Sequence, residues 1–522
     1  MISSSFRLSL ALALTLSVPS VSADMPLLTA ADADAYNAGE YGSLPNQTFH
    51  SSDLIAPRLL VTKWERNSTK TGSHIFLSPH IDGQDQAPMI LSAGDLSLVY
   101  VDPSWNGGAD TRMQMYKGDP YLTFWSGTVV RGGGYGGGVL VDRSYQKVAN
   151  LTTQGFTTLA DGHEFQLTHD GGALLVNSHT TTGDCSEVGG GRNCTLKAFA
   201  FQEIDIATGE PRFTWRAEDH FSLNESFKAW SGNDSVEWDW FHMNSLEKTM
   251  SGDYLISGRY LAMAALINGT TGDKIWQVGG KNSDFRDIST TNGSTGAAAI
   301  FEFQHDVRFA GGPRSGSVDN AFDDLTMFDN HVLADGLEQP TPGCIANCSR
   351  GLRIRLDHTE RTFTLVHDFY HPASVQTFAQ GSYQTFPNDN VLVGWGTVPA
   401  FTEFTAAGET VLEVQTAPWS SAATGGSLLY RVYKLDWTAT PLTNPNAVVV
   451  NDTVYVSWNG ATEVASWTLF GGQDNERLSK LVTVPRAGFE TAIVLDSLPP
   501  ILKVEAVSTA GETIGSTEVI AS

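Results

Sequence analysis

The chain has 522 residues, with 32 lysines and arginines against 57 aspartates and glutamates, and a net charge of −25 with neutral histidines. A chain this acidic repels nucleic acids and anionic membranes, so we expect neither as a partner. Its 51 glycines and 13 tryptophans, with hardly any helical periodicity, favour an all-β fold.

The first 23 residues are typical of a secretory signal peptide. Arg7 supplies the positive charge, Leu8 to Val18 form the apolar segment, and Val21-Ser22-Ala23 is a small-residue cleavage site. The apolar segment is too short to span a bilayer, which makes a retained anchor the less favoured interpretation. We predict a secreted, extracellular protein whose mature chain begins at residue 24.

Ten Asn-x-Ser/Thr sequences follow this segment and predict N-linked glycans on surface loops. The predicted glycosylation sites are Asn46, Asn67, Asn150, Asn193, Asn224, Asn233, Asn268, Asn292, Asn347 and Asn451.

The four cysteines form two local pairs, Cys185 with Cys194 and Cys344 with Cys348. Three pairings are formally possible, and closing the two short loops costs the least entropy. With no Cys or His cluster at zinc spacing nearby, we predict these two disulfides, formed in an oxidising compartment.

A repeated arrangement occupies the middle of the chain. His163, His242, His305 and Gln384 follow one another at spacings of 79, 63 and 79 residues. In three of the four, a short strand, a Gly or Asn turn and a second apolar strand come next; His242 is expected in the middle of its strand, Trp238 to Met243. A repeat of this length suits a four-stranded propeller blade.

Residues 24–440, at roughly 70 residues per repeat, give about six blades. The four repeated polar residues would then lie on equivalent innermost strands and converge on one axial channel. From about residue 441 the sequence pattern changes, and evenly spaced strands of alternating apolar and polar residues are predicted. Trp458 lies early in this region, and Leu498-Pro499-Pro500 precedes a late strand. Residues 441–522 therefore resemble a fibronectin type III-like β-sandwich.

Three interpretations of a channel lined by His163, His242, His305 and Gln384 are open. The imidazoles could bind a transition metal, although no carboxylate completes a recognisable ligand spacing. They could hydrogen-bond across the axis for structural reasons. They could also form an oxyanion site, in which a neutral ring nitrogen acts as nucleophile and an arginine holds the oxygens. Candidate arginines are Arg259, Arg308 and Arg350.

Several segments together resemble the arylsulfotransferase family, most closely its secreted fungal branch. They are Asp239 to Ser245, Tyr254 to Arg259, Phe303-Gln304-His305-Asp306, Met327 to Asn330, Ser349 to Leu352, and Gln380 to Gly396. The resemblance covers about residues 90–440 and implies a six-bladed propeller. It also implies sulfuryl transfer from an aryl sulfate donor to a phenolic acceptor, through a sulfurylated histidine and without a nucleotide sulfate donor. No cofactor or metal is expected.

The resemblance assigns His242 and His305 to the family's channel histidines and Arg350 to its sulfate-binding arginine. We expect His305 to be catalytic as the nucleophile and His242 to be catalytic beside it, and we expect His163, Arg350, Gln384 and Arg259 to bind substrate. The chain departs from the family at Gly394 to Ala400, where the family's nucleophilic histidine has no counterpart. Either another histidine of the channel is the nucleophile, or the chain catalyses a different reaction, or it is not catalytic.

Two classes of function follow from this departure. The first is a secreted sulfuryl-transfer enzyme. The second is a non-catalytic propeller that binds a small phenolic, glycan or anionic ligand. Quinone-dependent dehydrogenases and lactonases share the architecture, but the sequence has no distinct signature of either.

Overall fold

The computed structural model describes residues 21–80, 86–130, 132–289, 301–312, 321–332, 343–344, 348–423 and 429–522. Strands dominate this part of the chain, which confirms the predicted all-β class. Most of the predicted signal peptide, residues 1–20, lies outside the described residues. The helical elements are short, and in the described ranges no helix is long and apolar enough to cross a membrane. They are α1 (Ala33–Asn37), α2 (Trp419–Ala423) and 3-10 turns at Ala30–Asp32, Ser186–Val188, Ala217–Asp219, Leu223–Glu225 and Arg259–Leu261.

The N-terminal strands contribute to four sheets. They are β1 (Val21–Ser22), β2 (Leu28–Thr29), β3 (Asn46–Thr48), β4 (Ile55–Pro57), β5 (Leu60–Trp64), β6 (His74–Leu77), β7 (Met89–Ser92) and β8 (Leu98–Val101). Strands β3 and β4 pair with each other, and β6 to β8 form an antiparallel meander. Strands β1 and β5 pair with strands from much later in the chain, at residues 491–492 and 412–415, and β2 pairs with β5, so this segment links distant parts of the molecule.

Two antiparallel meanders follow. The first contains β9 (Gly107–Tyr116), β10 (Asp119–Val130), β11 (Gly133–Val141) and β12 (Lys147–Leu151). The second contains β13 (Ala160–Leu167), β14 (Gly172–Gly183), β15 (Cys194–Asp205) and β16 (Pro211–Arg216). One pairing, Gly136 with Ala160, joins the two into a continuous sheet.

The next two meanders have the same antiparallel order. After the short β17 (Trp238–Asp239), the first contains β18 (Met243–Lys248), β19 (Tyr254–Gly258), β20 (Met263–Ile267) and β21 (Lys274–Gly279). The second contains β22 (Arg286–Asp287), β23 (His305–Phe309), β24 (Phe322–Asp329), β25 (Arg350–Asp357) and β26 (Thr362–Tyr370), with β22 at its outer edge. The β18–β19 pair is a hairpin around Ser251 to Asp253 and corresponds to the strand, turn and second strand predicted to follow His242.

The last strands of this region interlock with its first ones. A meander of β27 (Ser382–Thr385), β28 (Val391–Gly394), β29 (Ala400–Phe404) and β30 (Thr410–Gln415) is extended by β5 and β2. Strand β31 (Tyr433–Leu435) pairs with β6 and so completes the β6–β8 meander. Each of these strands contacts the next one around the molecule: β9 contacts β13, β13 contacts β18, β18 contacts β23, and β23 contacts β27. Strand β31 contacts both β28 and β9 and so closes the series. The first strands of successive meanders therefore surround a common axis.

The remaining strands form two further sheets. They are β32 (Asn446–Val450), β33 (Thr453–Ser457), β34 (Ser466–Gly472), β35 (Ser479–Pro485), β36 (Thr491–Val494), β37 (Ile501–Val507), β38 (Thr513–Ser516) and β39 (Ile520–Ala521). One sheet has the order β1-β36-β33-β32, and the other has β35-β34-β37-β38 with β39 beside β37. A separate hydrophobic cluster that includes Val456, Trp467 and Val504 fills the space between them.

Burial explains why the sequences of some strands are continuous apolar runs. Every residue of β19 and β20 is buried, because each meander packs against its neighbours on both faces. Leu255 and Leu266, for example, belong to a cluster that also contains Val307 and Leu325 of the next meander. This packing fixes the positions of the inner strands and of the side chains that point to the axis.

Both predicted disulfides are confirmed. Cys185 pairs with Cys194, at a Cα–Cα distance of 6.0 Å, and Cys344 pairs with Cys348, at 5.6 Å. Six of the predicted glycosylation sites have exposed asparagines, while Asn46 and Asn268 are half-buried. Asn292 and Asn347 lie outside the described residues. Glycosylation itself stays a prediction.

Candidate active site

The three predicted channel histidines come from neighbouring inner strands. His163 lies within β13, His242 directly precedes β18, and His305 is the first residue of β23. All three are buried. Because β13 contacts β18 and β18 contacts β23, residues that are distant in sequence meet at the axis.

The prediction that His242 lies in the middle of a strand is wrong. Strand β17 ends at Asp239, β18 begins at Met243, and His242 has a left-handed backbone with φ of 56°. Histidine tolerates this conformation better than branched residues do. The Arg259 and Tyr260 N–H groups donate to the carbonyls of His242 and Phe241, each at 3.1 Å, and so hold the turn.

Two aspartate–histidine pairs face each other at this place. Nδ1 of His163 bonds to the Asp161 carboxylate, and Nδ1 of His242 lies 2.6 Å from Oδ2 of Asp239. The two ring centroids are 4.7 Å apart, with the rings nearly perpendicular. A carboxylate accepts the Nδ1–H, which leaves the Nε2 lone pair for a ligand. Within the described ranges, no residue hydrogen-bonds to Nε2 of either ring.

His305 is held differently, because both of its ring nitrogens are engaged. Nδ1 lies 2.6 Å from Oδ1 of Asn330, and Nε2 accepts the Gln380 N–H at 3.1 Å. The Asn330 amide in turn donates to the carbonyls of Thr377 and Gln380. His305 thus links β23 to the loop that precedes β27.

Two cations stand beside these rings. The Arg259 guanidinium lies 4.7 Å from the Tyr260 ring centroid and 5.0 Å from that of Phe303, and it donates to the Phe378 carbonyl. Nζ of Lys197 donates to the Gly132 carbonyl at 2.6 Å, and Lys197 and His242 both border Gly132. We call His163, His242, His305, Asp161, Asp239, Arg259 and Lys197 the histidine cluster.

Burial and the positive charge of Arg259 keep His242 and His305 neutral. Burial, followed by the charges of His163 and Arg259, holds the pKa of His242 well below its ordinary value. Burial and Arg259 do the same to the pKa of His305. Burial raises the pKa of Asp239 to about 6, whereas His163 and Lys197 outweigh burial at Asp161 and lower its pKa to about 2. A neutral imidazole flanked by positive charge can attack an anionic centre.

The structure places Arg350 and Gln384 in other bonded settings. Arg350 binds the carboxylates of Asp329 and Asp368, at 3.0 and 3.1 Å. Gln384 bonds to the backbone of Lys434 through both amide atoms, at 3.0 and 2.8 Å, and so ties β27 to β31. The hydrogen bonds found for these two side chains do not join them to the histidine cluster.

A second buried polar group adjoins the cluster, and we call it the ion-pair network. Its members are Arg112, Arg308 and Arg431 with Asp110, Glu164 and Asp306. Arg431 binds two of the carboxylates, Asp110 at 2.9 Å and Glu164 at 3.2 Å. It also donates to the carbonyls of His163 and Asn244. Arg308, one of the arginines suggested by sequence, belongs here, 2.6 Å from Glu164. The network joins β9, β13, β18 and β23 to residues 431–433.

Sequence reasoning missed four residues that shape the histidine cluster: Asp161, Asp239, Lys197 and Asn330. A signal existed for the aspartates, since each stands two or three positions before its histidine. No comparable pattern marks Lys197. Among the described residues, no group of three or more His, Cys, Asp or Glu side chains is arranged to hold a metal ion.

Comparison with known proteins gives one family. A family model described as arylsulfotransferase (ASST) matches residues 112–417, more than half of the chain. No curated protein matches. A protein of unknown function from Bacteroides caccae is 12% identical, covering 69% of this chain and 98% of that chain, with a TM-score of 0.39. BamB from Moraxella catarrhalis is 10% identical, covering 77% and 97%, with a TM-score of 0.28. On the match to its family model, this chain belongs to the arylsulfotransferase family.

Proposed function

We propose that this chain transfers a sulfuryl group from an aryl sulfate donor to a phenolic acceptor through a histidine of the axial channel. The observation that carries the proposal is the facing of two aspartate-bound imidazoles, 4.7 Å apart, beside Arg259 and Lys197. The neutral ring of His242 supplies a nucleophile, Nε2 of His163 supplies a proton acceptor, and the cations compensate the charge on sulfate oxygens.

In the first half-reaction, the Nε2 lone pair of His242 attacks sulfur and the bond from sulfur to the aryl oxygen breaks. The phenolate leaves and takes up a proton from water. The sulfurylated ring carries positive charge, and Asp239 stabilises that charge through the Nδ1–H. As in phosphoryl transfer, charge is spread over the oxygens in the transition state, so positioning and cationic donors dominate.

In the second half-reaction, the acceptor phenol gives its proton to Nε2 of His163 while its oxygen attacks sulfur. The bond from sulfur to nitrogen breaks, and His242 returns to its neutral form. The Asp161 carboxylate stabilises the imidazolium of His163 in this step. The imidazolium of His163 then releases its proton to water, which replaces the proton taken up by the leaving phenolate, so the chain returns to its starting state and no redox change is involved.

His242 is preferred over His305 as nucleophile because of the hydrogen bonds. The Nε2 lone pair of His305 accepts the Gln380 N–H, so attack would require that contact to break. His305, expected from sequence to be the nucleophile, would then orient the Gln380 loop and bound sulfate. Arg259 is the favoured sulfate-binding arginine, whereas Arg350 is held by two carboxylates.

The test is turnover of 4-nitrophenyl sulfate by the purified chain, with and without phenol. His242→Ala should abolish turnover with the fold intact, and wild type should form a covalent sulfuryl adduct on the peptide that contains His242. His305→Ala should reduce turnover without abolishing it. His169→Ala, at an exposed turn, is the matched control. Full turnover by His242→Ala, or an adduct on His305, would show that the nucleophile is wrong.

A second function remains a candidate because of one local feature. The family's nucleophilic histidine has no counterpart in Gly394 to Ala400. This segment contains the buried Trp395 and no titratable side chain. The same cations and rings would then bind a small phenolic, glycan or anionic ligand without transfer. If wild type turns over no aryl sulfate but binds 4-nitrophenyl sulfate, and Arg259→Ala weakens that binding, this function replaces the first.

The fold assignments finer than all-β are also proposals. We propose that the meanders are the six blades of a propeller spanning residues 24–440, with β31 and β6 closing the ring. The two C-terminal sheets would form a fibronectin type III-like sandwich over residues 441–522. The disulfides are consistent with secretion of a glycosylated chain. Peptide mapping of material secreted by a eukaryotic host tests cleavage after residue 23 and glycan attachment together.

A further inference from the structure

A cavity of about 580 Å³ lies between the N-terminal strands of the ring and the C-terminal sheets. Its walls come from the region of β5 to β8 on one side and from the segments around Thr462 and Arg486 on the other. Ligand pockets of small organic molecules have volumes in the same range. None of the histidine cluster lines it, so it is a separate place in the molecule.

The charge of this cavity is opposite to that of the chain. Arg66, Lys70 and Arg486 line it, against the single lining carboxylate of Asp95, while the whole chain carries −25. A concave surface of one sign concentrates ligands of the other sign. The local surplus of positive charge therefore favours an anion.

Arg486 is the residue that most needs such a ligand. Its guanidinium donates to the carbonyls of Gly488 and Ala461, at 3.1 and 3.4 Å. Within the described ranges no carboxylate lies within 4.0 Å of it, and burial, which the charges of Asp95 and Asp24 only partly offset, lowers its pKa. Burial of a guanidinium without an ion-pair partner is costly, and Arg486 is half-buried, so a bound anion would offset part of that cost.

The remaining lining suits a sugar ring. The Arg66 guanidinium stacks 3.6 Å from the Trp64 ring centroid and donates to the Gly94 carbonyl, which fixes both side chains on one wall. Hydroxyl groups of Ser92, Ser97 and Thr462 line the cavity. Ser97 already donates to Asp95 and Thr462 to the Ala439 carbonyl, so these two can accept from a ligand, while Ser92, which accepts the Gly94 N–H, can also donate. Walls lined by hydroxyl groups and a few cations are chemically matched to a polyhydroxylated anion rather than to an apolar molecule.

We propose that this cavity binds an acidic saccharide of one or two rings, which carries a carboxylate or a sulfate group. Arg486 binds the acidic group from inside, Lys70 and Arg66 approach it from the rim, and the hydroxyl groups of the wall bond to the sugar. The site requires residues from both the ring and the C-terminal sheets, which gives the junction between them a function. It does not depend on sulfuryl transfer at the histidine cluster.

The experiment is isothermal titration calorimetry of the full chain with glucuronate, glucose 6-sulfate, glucose and inorganic sulfate. At least one of the two acidic sugars should bind about tenfold or more tightly than glucose and inorganic sulfate. Arg486→Gln and Lys70→Ala should each weaken that binding by about tenfold, the usual loss for one charge-assisted contact. Arg192→Ala, an exposed arginine that does not line the cavity, is the matched control.

Each other outcome overturns part or all of the proposal. Equal binding of inorganic sulfate would show a simple anion site, and equal binding of glucose would remove the role of charge. Absence of binding by all four probes, or unchanged affinity in Lys70→Ala and Arg66→Ala, would reject the cavity as the site. Those two exposed variants decide the question if Arg486→Gln does not fold. Turnover of 4-nitrophenyl sulfate should be the same in wild type and Lys70→Ala, which separates this site from the proposed transfer site.

Discussion

The histidine cluster and the ion-pair network are both buried and polar, and they share one strand, since His163 and Glu164 are adjacent in β13. They differ in how their groups are satisfied. In the network, three arginines face three carboxylates, and each charge has a partner within 3.4 Å. In the cluster, His242 and His305 are held neutral by burial and Arg259, and Nε2 of His163 and His242 has no partner in the described part of the chain.

This difference separates a structural role from a chemical one. A fully paired polar network rigidifies the strands that carry it and has little left to offer a ligand. A cluster with an unoccupied ring nitrogen, shifted pKa values and nearby positive charge is typical of a functional site. Breaking the network should therefore act on stability, whereas breaking the cluster should act on turnover.

The largest effect should come from Arg431→Gln. The substitution removes one cation that bonds to Asp110 and Glu164, and it leaves three buried carboxylates with two arginines. Removing one partner from a buried ion pair costs about 3–5 kcal/mol, so urea unfolding should show a loss of that size. Arg192→Gln is the control. A loss below about 1 kcal/mol would show that the network is not structural.

Asp239→Asn tests the histidine cluster, and it should lower turnover with little effect on stability. The carboxylate that accepts the Nδ1–H of His242 is replaced by a neutral amide, which orients the ring less well and stabilises its charged form less. We expect turnover of 4-nitrophenyl sulfate to fall by roughly a hundredfold, with little change in the urea midpoint. Asp119→Asn, at the exposed start of β10, is the control. Equal loss of stability and turnover would mean that Asp239 is structural.

The all-β class and the hairpin after His242 could be predicted because they depend on local patterns. Alternating apolar runs and a Ser-Gly-Asp turn specify β18 and β19 without reference to the rest of the chain. The spacing of His163, His242 and His305 also predicted that they come from equivalent strands. When the same local pattern repeats along the chain, it also predicts which distant strands are equivalent in the fold.

The partners of those histidines could not be predicted in the same way. Asn330 reaches His305 across 25 residues, and Lys197 enters the cluster from β15, two strands away from His163. Gln384 sits at the expected repeat spacing, yet its amide is taken up by the Lys434 backbone. Such contacts depend on how neighbouring meanders are rotated about the axis, and the sequence pattern does not contain that rotation.

A smaller effect should follow from removal of the Cys185–Cys194 disulfide. It closes a short loop next to β15, the strand that carries Lys197, and both cysteines are buried in a hydrophobic cluster with Trp238. Loop-closure entropy gives about 2–3 kcal/mol for Cys185→Ala/Cys194→Ala, measured by urea unfolding. Turnover should change little below the unfolding temperature, since the Lys197–Gly132 hydrogen bond is outside the loop. A large loss of turnover in the folded variant would show that the disulfide positions Lys197.

The smallest effect is a pH dependence of stability that comes from His242. Its pKa is held well below the ordinary 6.5 by burial, so below about pH 6.5 the unfolded chain binds a proton there that the folded chain does not. Stability is therefore lost as pH falls, at up to about 1.4 kcal/mol per pH unit. Asp239 opposes this change: its pKa is raised to about 6, so the folded chain takes up a proton there sooner than the unfolded chain does.

His242→Gln isolates the histidine contribution, because it removes the group that takes up a proton on unfolding. The difference in unfolding free energy between wild type and His242→Gln, measured by urea unfolding from about pH 7.5 to about pH 5.5, should shift in favour of the variant as pH falls. His169→Gln controls for the loss of one imidazole at an exposed turn. A difference that stays constant over this range would mean that His242 takes up its proton equally in the folded and unfolded chains. The folded protein would then not lower the pKa of His242, and this residue would no longer support the contrast between the histidine cluster and the ion-pair network.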